Sequence, residues 1–410
     1  MFNRRHKLLA LSGAVAALAI TVPVANATDR SPGAAAEKSL AAMLDRQDAA
    51  VEKSLDELPG RRQDTAVRKS LRALVSEDGF PGALASLTDR NGRTRNYTAG
   101  VGNLKTGAKV PVDGQVRIAS NTKMFTATVV LQLVGEGKIG LDTPVETYLP
   151  GLVRGEGIDG RNITVRQLLQ HTSGLPDYDE EVVRDYLTKQ RHRYFEPREV
   201  LGLALAKKAL FAPGAGWSYS NTNYVLAGLL VQKVTGRPIG EEITDRIIER
   251  IGLRHTYWPG VGEQTIDGRH PHGYFATAPN TPYTDVTESD PSASWAAGQL
   301  IGTPSDLNRF LTALLDGKLL KPELLKEMQT TVEAPDLDTV GDGRYGLGLA
   351  TFKLSCGGFA WTHGGNAPGY TTRNAVTADG RAATIAVTAL PTTLPAAEHV
   401  EQALDTALCS

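Results

Sequence analysis

The sequence predicts an α+β fold, a single antiparallel sheet with an all-helical domain inserted into it. Three observations carry this. Near the start, two strand-like runs, Ala83 to Asp89 and Arg93 to Ala99, flank Arg90-Asn91-Gly92, a hairpin signal because Asn-Gly accepts positive φ at the turn. After Gly140 the pattern is helical and loop-rich as far as about Leu315. Strand-like runs then return at Tyr345 to Phe352, Phe359 to His363, Thr371 to Thr377 and Ala382 to Ala389, and Ala396 to Leu408 closes the chain as a helix. Strands at both ends with helices between them imply one sheet assembled from the two ends.

Within the helical middle, the blocks with clear apolar periodicity are Thr164 to His171, Arg198 to Ala206, Asn223 to Val234, Ile239 to Arg250 and Ser305 to Leu315. Asp379-Gly380 marks the turn between the last two strands. A short helix over about Thr65 to Ser76 precedes Asp78-Gly79. The predicted organisation is a signal peptide over 1–27, a pro-segment or N-terminal helical extension over 28–60, and one domain over 61–410. Its sheet part covers about 61–119 and 340–410, and its helical part about 120–339. Pro59-Gly60 is read as the break that ends the extension.

The composition is ordinary for a globular protein, with 41% hydrophobic and 22% charged residues in a chain of 410. With 44 basic and 45 acidic residues the formal charge is −1, and no basic cluster lies beyond the N-terminus, so neither nucleic acid nor an anionic membrane is an expected partner. Arg4, Arg5, His6 and Lys7, the apolar run Leu8 to Val24 and the Ala25-Asn26-Ala27 site together read as an export signal. Sec and twin-arginine routes both stay open. No other apolar stretch is long enough to span a bilayer, so a secreted or extracytoplasmic protein with no stable membrane span is expected. In that setting the two cysteines, Cys356 and Cys409, are expected to form a disulfide.

Candidate chemistry centres on Ser120-Asn-Thr-Lys123. From Met124 to Val134 the sequence is apolar on nearly every face, which predicts a buried helix with Ser120 at or just before its first turn. There the hydroxyl lies beside free N–H groups, and Lys123, three residues on, shares its face. A lysine beside a hydroxyl at a buried helix start is an arrangement that makes serine nucleophilic. Taken alone, one such Ser-x-x-Lys is expected by chance about once in a chain this long, and a serine before a helix is usually a cap.

Two further stretches matter. Tyr219-Ser-Asn221 places a phenol and an amide on one side of a short loop. The phenol can shuttle a proton if a cation lowers its pKa, and the amide can grip a carbonyl; the alternative is a capping Asn over a packed Tyr. In Trp361-Thr-His363-Gly364-Gly365-Asn366, glycines beside a histidine let a ligand approach the backbone, where a strand N–H can donate to an oxyanion; alone it also reads as a glycine-rich turn. Lys105-Thr106-Gly107 reads as a solvated loop. His270-Pro271-His272 reads as a loop rather than a metal site, and no metal or cofactor is expected.

Ser-x-x-Lys, then Tyr-x-Asn, then His-x-Gly, in that order around a helical insert, resembles the penicillin-recognising serine hydrolases, a group for which Ser-x-x-Lys is a known signature. The likeness runs from about Asp78 to Cys409 and is closest to exported D-alanyl-D-alanine carboxypeptidases of the class C β-lactamase-related type. It includes Leu168-Leu-Gln-His171-Thr-Ser-Gly-Leu-Pro176, Ser294-Trp295-Ala-Ala-Gly298 and Tyr345-Gly-Leu-Gly-Leu349. The resemblance implies a β-lactamase/transpeptidase-like fold and an acyl-enzyme on Ser120. Lys123 and Tyr219 share the proton work, and Asn221 holds the substrate amide. The N–H groups of Ser120 and Asn366 form an oxyanion hole, beside Gly365. His363 is implied as a polar or cationic wall, Trp295 as a cleft-lining residue and His171 as a brace. The implied partners are a D-Ala-terminated peptide or peptidoglycan stem peptide, and β-lactams as acylating inhibitors. An esterase, D-aminopeptidase or β-lactamase on the same scaffold, or a non-catalytic penicillin-binding sensor, are the alternatives.

Two departures bear on substrate. Class C β-lactamases usually show Lys-Thr-Gly where this chain has His363-Gly364-Gly365, which favours peptidase or esterase. An arginine expected directly after Gly-Leu-Gly-Leu is replaced by Ala350, followed by Thr351 and Phe352. The grip on a substrate carboxylate is therefore relocated to Arg373, the better placed of the nearby cations Lys353 and Arg373, or lost.

Overall fold

The computed structural model describes residues 59–410, apart from 336 and 338–342. The export signal, and with it all but the last two residues of the 28–60 segment, lies outside the described residues.

Pro59–Ser76 forms α1. Pro59 opens this helix, which begins before the predicted start at Thr65, because its missing N–H is no loss in a first helical turn; the stretch it was expected to end lies outside the described residues. Gly82–Thr88 (β1) and Thr94–Gly100 (β2) make the predicted hairpin, with Gly92 at φ +77. The helical region holds α2 (Thr122–Gly135), α3 (Val165–Leu169), α4 (Pro197–Leu205), α5 (Asn221–Thr235) and α6 (Pro304–Leu315). The stretch Ile239 to Arg250 is helical as predicted, but with a π-turn at Thr244–Ile248.

The remaining strands of the main sheet are β3 (Val332–Glu333), β4 (Arg344–Tyr345), β5 (Ala350–Lys353), β6 (Phe359–Thr362), β7 (Gly365–Ala367), β8 (Tyr370–Thr377) and β9 (Ala382–Val387), and α7 spans Leu394–Cys409. The strand expected over Tyr345 to Phe352 is two strands. Between them Gly348 turns at φ +80 and the Gly346 N–H donates to the Leu349 carbonyl at 2.7 Å. The sheet is antiparallel, in the order β2-β1-β9-β8-β6-β5-β4-β3, with β7 also paired to β8.

Both faces of the sheet are covered. Along β1, Ala83, Ala85 and Leu87 pack with Val67, Leu71 and Leu74 of α1 and with Val400 and Leu404 of α7. Leu84 points the other way, into the core that holds α2, α5 and α6. The alternation follows from the period of two along a strand. Cys356 and Cys409 are bridged, tying the β5–β6 turn to the end of α7.

Helix α2 runs through the middle of the larger core. Met124, Phe125, Ala127, Val129, Val130, Leu131 and Leu133 have no exposed surface, and Phe125 stacks on Phe310 of α6 at 3.8 Å. Each such Leu, Val or Phe contributes about 1.5–3 kcal/mol of burial. That packing holds the start of α2, and so Ser120, in place.

Candidate active site

Ser120 lies in a 3-10 turn, Ala119–Asn121, directly before α2. Ala119 holds φ +50, a left-handed value rare for a residue with a Cβ and kept only when its surroundings enforce it. Buried Asn121 does so: its amide donates to the Ile118 carbonyl and to Thr372 Oγ1 of β8, both at 2.6 Å, and its oxygen accepts from Asn374. Gly365 closes the same corner. A Cβ there would lie 2.3 Å from the Ile118 carbonyl oxygen, so only glycine lets β7 approach the serine turn this closely.

Lys123 is fully buried, and its Nζ donates to Ser120 Oγ at 3.0 Å, Asn221 Oδ1 at 2.7 Å and the Ala297 carbonyl at 2.9 Å. An ammonium has three donors, and here it has three acceptors. Burial pulls its pKa down to about 7, against the opposing charges of Asp177 and Asp179. On losing a proton the amine keeps two donors for Asn221 and Ala297 and can turn its lone pair to Ser120. This is the geometry of a general base.

Tyr219 faces the cleft, with the Lys123 Nζ 4.8 Å from its ring centre. Surrounding protein raises its pKa well above the usual value, and the nearby Ser120 hydroxyl lowers it by less. The expectation that a cation lowers this pKa does not hold. The resting group is a phenol that donates a proton.

Asn221 opens α5, and Asp177 fixes it: Asp177 Oδ2 accepts from the Asn221 backbone N–H at 2.9 Å and from Nδ2 at 3.0 Å. With Oδ1 turned to Lys123, one Nδ2 hydrogen is left for a ligand. His363 is 4% exposed and lies just after β6. Its Nδ1 is 2.6 Å from the Gly364 carbonyl, so it carries the proton, and Nε2 accepts from the Tyr345 hydroxyl at 2.9 Å. Burial and the charge of Lys123 lower its pKa to about 3. The wall is polar and neutral; the cationic half of the expectation is wrong.

Arg373 lines the cleft from β8, but it is already engaged. Its Nη1 donates to Asn366 Oδ1 at 3.1 Å and to the Thr372 carbonyl at 3.0 Å, and its Nε lies 3.6 Å from Glu401 of α7. Trp295 does not line the cleft. It sits at φ +34 and packs its ring over Gly228 of α5, where a Cβ would come within 2.7 Å of it. Its neighbours Ser294, Ala297 and Gly298 form that part of the wall.

Sequence reasoning did not find Asp177 and Asp179, which directly follow the motif ending at Pro176. Asp179 opens onto the cleft, and its carboxylate has no hydrogen bond or ion pair among the described residues. Crowding by protein and the charge of Asp177 push its pKa up to about 6. The cleft has a volume of about 1080 Å³, enough for a peptide-sized ligand.

His272 meets a carboxylate that the sequence did not reveal, Asp285, 2.6 Å from Nδ1. Lys105 and Thr106 are exposed in a loop.

The sequence profile described as beta-lactamase matches residues 67–408. The chain belongs to the beta-lactamase family. It is a serine hydrolase of the penicillin-recognising group, with the corresponding antiparallel sheet and flanking helices. It is 26% identical over 266 residues to penicillin-binding protein 4* of Bacillus subtilis (strain 168), covering 62% of this chain and 56% of that protein. The chain covers between 34% and 56% of the length of the curated relatives it matches first.

Among solved structures, a D-stereospecific amidohydrolase from Streptomyces sp. is 40% identical with a TM-score of 0.76, covering 83% of this chain and 98% of that one. A D-amino acid amidase from Ochrobactrum anthropi SV3, complexed with L-phenylalanine amide, is 27% identical with a TM-score of 0.75, covering 85% and 97%.

Proposed function

We propose that this family member hydrolyses amides or esters of D-amino acids that carry a free α-amino group. Ser120 attacks the carbonyl and becomes acylated while Lys123 takes its proton. Tyr219 donates a proton to the leaving group, and water then attacks the ester so formed. The N–H groups of Ser120 and Asn366 hold the oxyanion, beside Gly365.

The observation that carries the substrate reading is Asp179, a carboxylate with no partner among the described residues, on the wall of the same cleft as Ser120. A carboxylate suits an ammonium and repels a second carboxylate. The position after Leu349 is Ala350, and Arg373 already faces Glu401, so the two places for a carboxylate grip are weak. The likeness to a D-stereospecific amidohydrolase and a D-amino acid amidase supports the same side.

The test is a comparison of D-alanine p-nitroanilide with its N-acetyl derivative. The free amine is expected to have the higher kcat/KM by about tenfold or more, a charge-assisted contact contributing about 1.5–3 kcal/mol. Asp179→Asn is expected to erase that preference through KM, and in the wild type it fades as pH falls through about 6, where the carboxyl takes up a proton. Faster release of D-Ala from a D-Ala-D-Ala peptide would instead support the carboxypeptidase reading, which Lys353 keeps open as an exposed cation farther along β5. A β-lactam is expected to add its mass at Ser120. Export belongs to the same proposal: the secreted protein is expected to begin at Thr28, and N-terminal sequencing checks it.

A further inference from the structure

His171 is used by none of these steps, yet it is placed against the one loop that carries Tyr219. Its backbone carbonyl accepts from the Ser218 N–H at 3.1 Å, and its ring Nδ1 accepts from the Ser220 N–H at 3.2 Å. The residues on both sides of Tyr219, Ser218 and Ser220, are thus tied to one residue. The imidazole also lies against the Tyr219 ring, with centres 4.4 Å apart.

Because a backbone N–H can only donate, Nδ1 carries a lone pair and the proton is on Nε2. Asn223 agrees: its Nδ2 is 3.0 Å from the same Nδ1, while its oxygen accepts from Ser173 at 2.6 Å. Burial, and the charge of Lys123, keep the ring neutral. His171 holds φ +62 and is fully buried, and its Nε2 has no partner. A fold that tolerates a left-handed histidine and an unmatched donor here does so for the acceptor on the other side of the ring.

We infer that His171 is a positioning residue for Tyr219: its neutral ring and backbone carbonyl hold the phenol at the Ser120 hydroxyl. This rests on the proposed proton-donating role of Tyr219. Without the Nδ1 acceptor, the buried Ser220 N–H loses its partner and the loop must shift. A misplacement of about 1 Å costs on the order of 10²-fold in rate.

The experiment compares His171→Leu, His171→Asn, Tyr219→Phe and His171→Leu with Tyr219→Phe, using a p-nitrophenyl ester. Asn places an oxygen where Nδ1 stands and tolerates the left-handed backbone. His171→Leu is expected to lose about 10²-fold in kcat with KM nearly unchanged, and His171→Asn to recover most of it. The double variant is expected to be no slower than Tyr219→Phe alone, because both act on one group. Wild-type kcat in His171→Leu, no recovery in His171→Asn, or losses that multiply in the double variant would each overturn the inference. If Tyr219→Phe keeps wild-type kcat, the role of Tyr219 falls and this inference with it. If His171→Leu does not fold, the ¹⁵N signals of the wild type decide: an unprotonated Nδ1 at neutral pH is expected, and a protonated one overturns the inference.

Discussion

The cleft lining has a committed part around Ser120 and Lys123 and an uncommitted part made by Asp179, Ala350 and Lys353, and the two treat polar groups in opposite ways. Around Ser120, the Lys123 ammonium has three donors and three acceptors, and Asn221 is gripped by Lys123 on one side and Asp177 on the other. Elsewhere along the cleft, Asp179 has no side-chain partner among the described residues, Lys353 is exposed, and Ala350 has no polar group to offer. A committed, buried network keeps its geometry and shifts its pKa values. An uncommitted group is left for a ligand. The committed part therefore speaks for the chemistry and the uncommitted part for the substrate.

The strongest way to break this contrast is to remove the buried amine. Lys123→Ala is expected to slow acylation by about 10²–10⁴-fold, the usual contribution of a positioned acid or base. The wild type should also show a sign: the base acts when unprotonated, so the acylation rate should rise with pH through about 7 and level off above it. Tyr219, held well above its usual pKa, should stay protonated across that range. Stopped-flow acylation between pH 5 and 9 checks both. A flat profile in the wild type would mean that another group takes the serine proton.

The committed part was also the more legible one in the sequence. Met124 to Val134 is apolar on nearly every face, so its burial followed from the residues themselves, and Ser120 and Lys123 share a face by helical spacing. What escaped was set by contacts between distant residues. The neutrality of His363 depends on burial and on the charge of Lys123, and its tautomer on Tyr345, eighteen residues earlier in the chain, and on the Gly364 carbonyl. Trp295 turns inward because Gly228, on another helix, leaves room for its ring. Asp179 looked like any solvated acid in a Pro-Asp-Tyr-Asp turn until the cleft formed around it. The Gly346 to Leu349 turn was misread locally as strand, although it carried its own glycine signal.

A smaller effect is expected where β7 meets the serine turn. Gly365→Ala puts a Cβ 2.3 Å from the Ile118 oxygen and 2.6 Å from Asn121 Nδ2, and neither can yield easily, because both are buried in the network that holds the serine turn. Strand β7 should move away from Ser120, carrying the Asn366 N–H with it. Loss of an oxyanion donor costs about 10²–10³-fold, so a displaced donor should cost about 10²-fold in kcat at most. Thermal unfolding measured alongside separates this from general damage. A variant with unchanged kcat would show that β7 does not set the geometry at Ser120.

The smallest effect is expected at Arg373, and it discriminates most finely between the substrate readings. Its guanidinium reaches the cleft, which makes it the natural replacement for the arginine missing after Leu349. Yet Glu401 stands 3.6 Å from its Nε, and its Nη1 already donates to Asn366 and to the Thr372 carbonyl. A carboxylate arriving here would compete with Glu401 for the same charge, and the repulsion between the two acids would offset most of the attraction. Arg373→Ala should therefore change KM for a D-Ala-D-Ala peptide by no more than about threefold, a change of about 0.6–0.7 kcal/mol at 1.4 kcal/mol per decade. The residue should matter more for holding Asn366 than for holding substrate, so a modest fall in kcat should appear equally with neutral esters. Glu401→Gln sharpens the test by freeing the guanidinium: it should improve binding of the free-carboxylate peptide and leave amidated peptides unchanged. If Arg373→Ala instead raises KM for the free-carboxylate peptide tenfold or more while sparing neutral substrates, the carboxylate grip has been relocated rather than lost. The carboxypeptidase reading then takes precedence over the one built on Asp179.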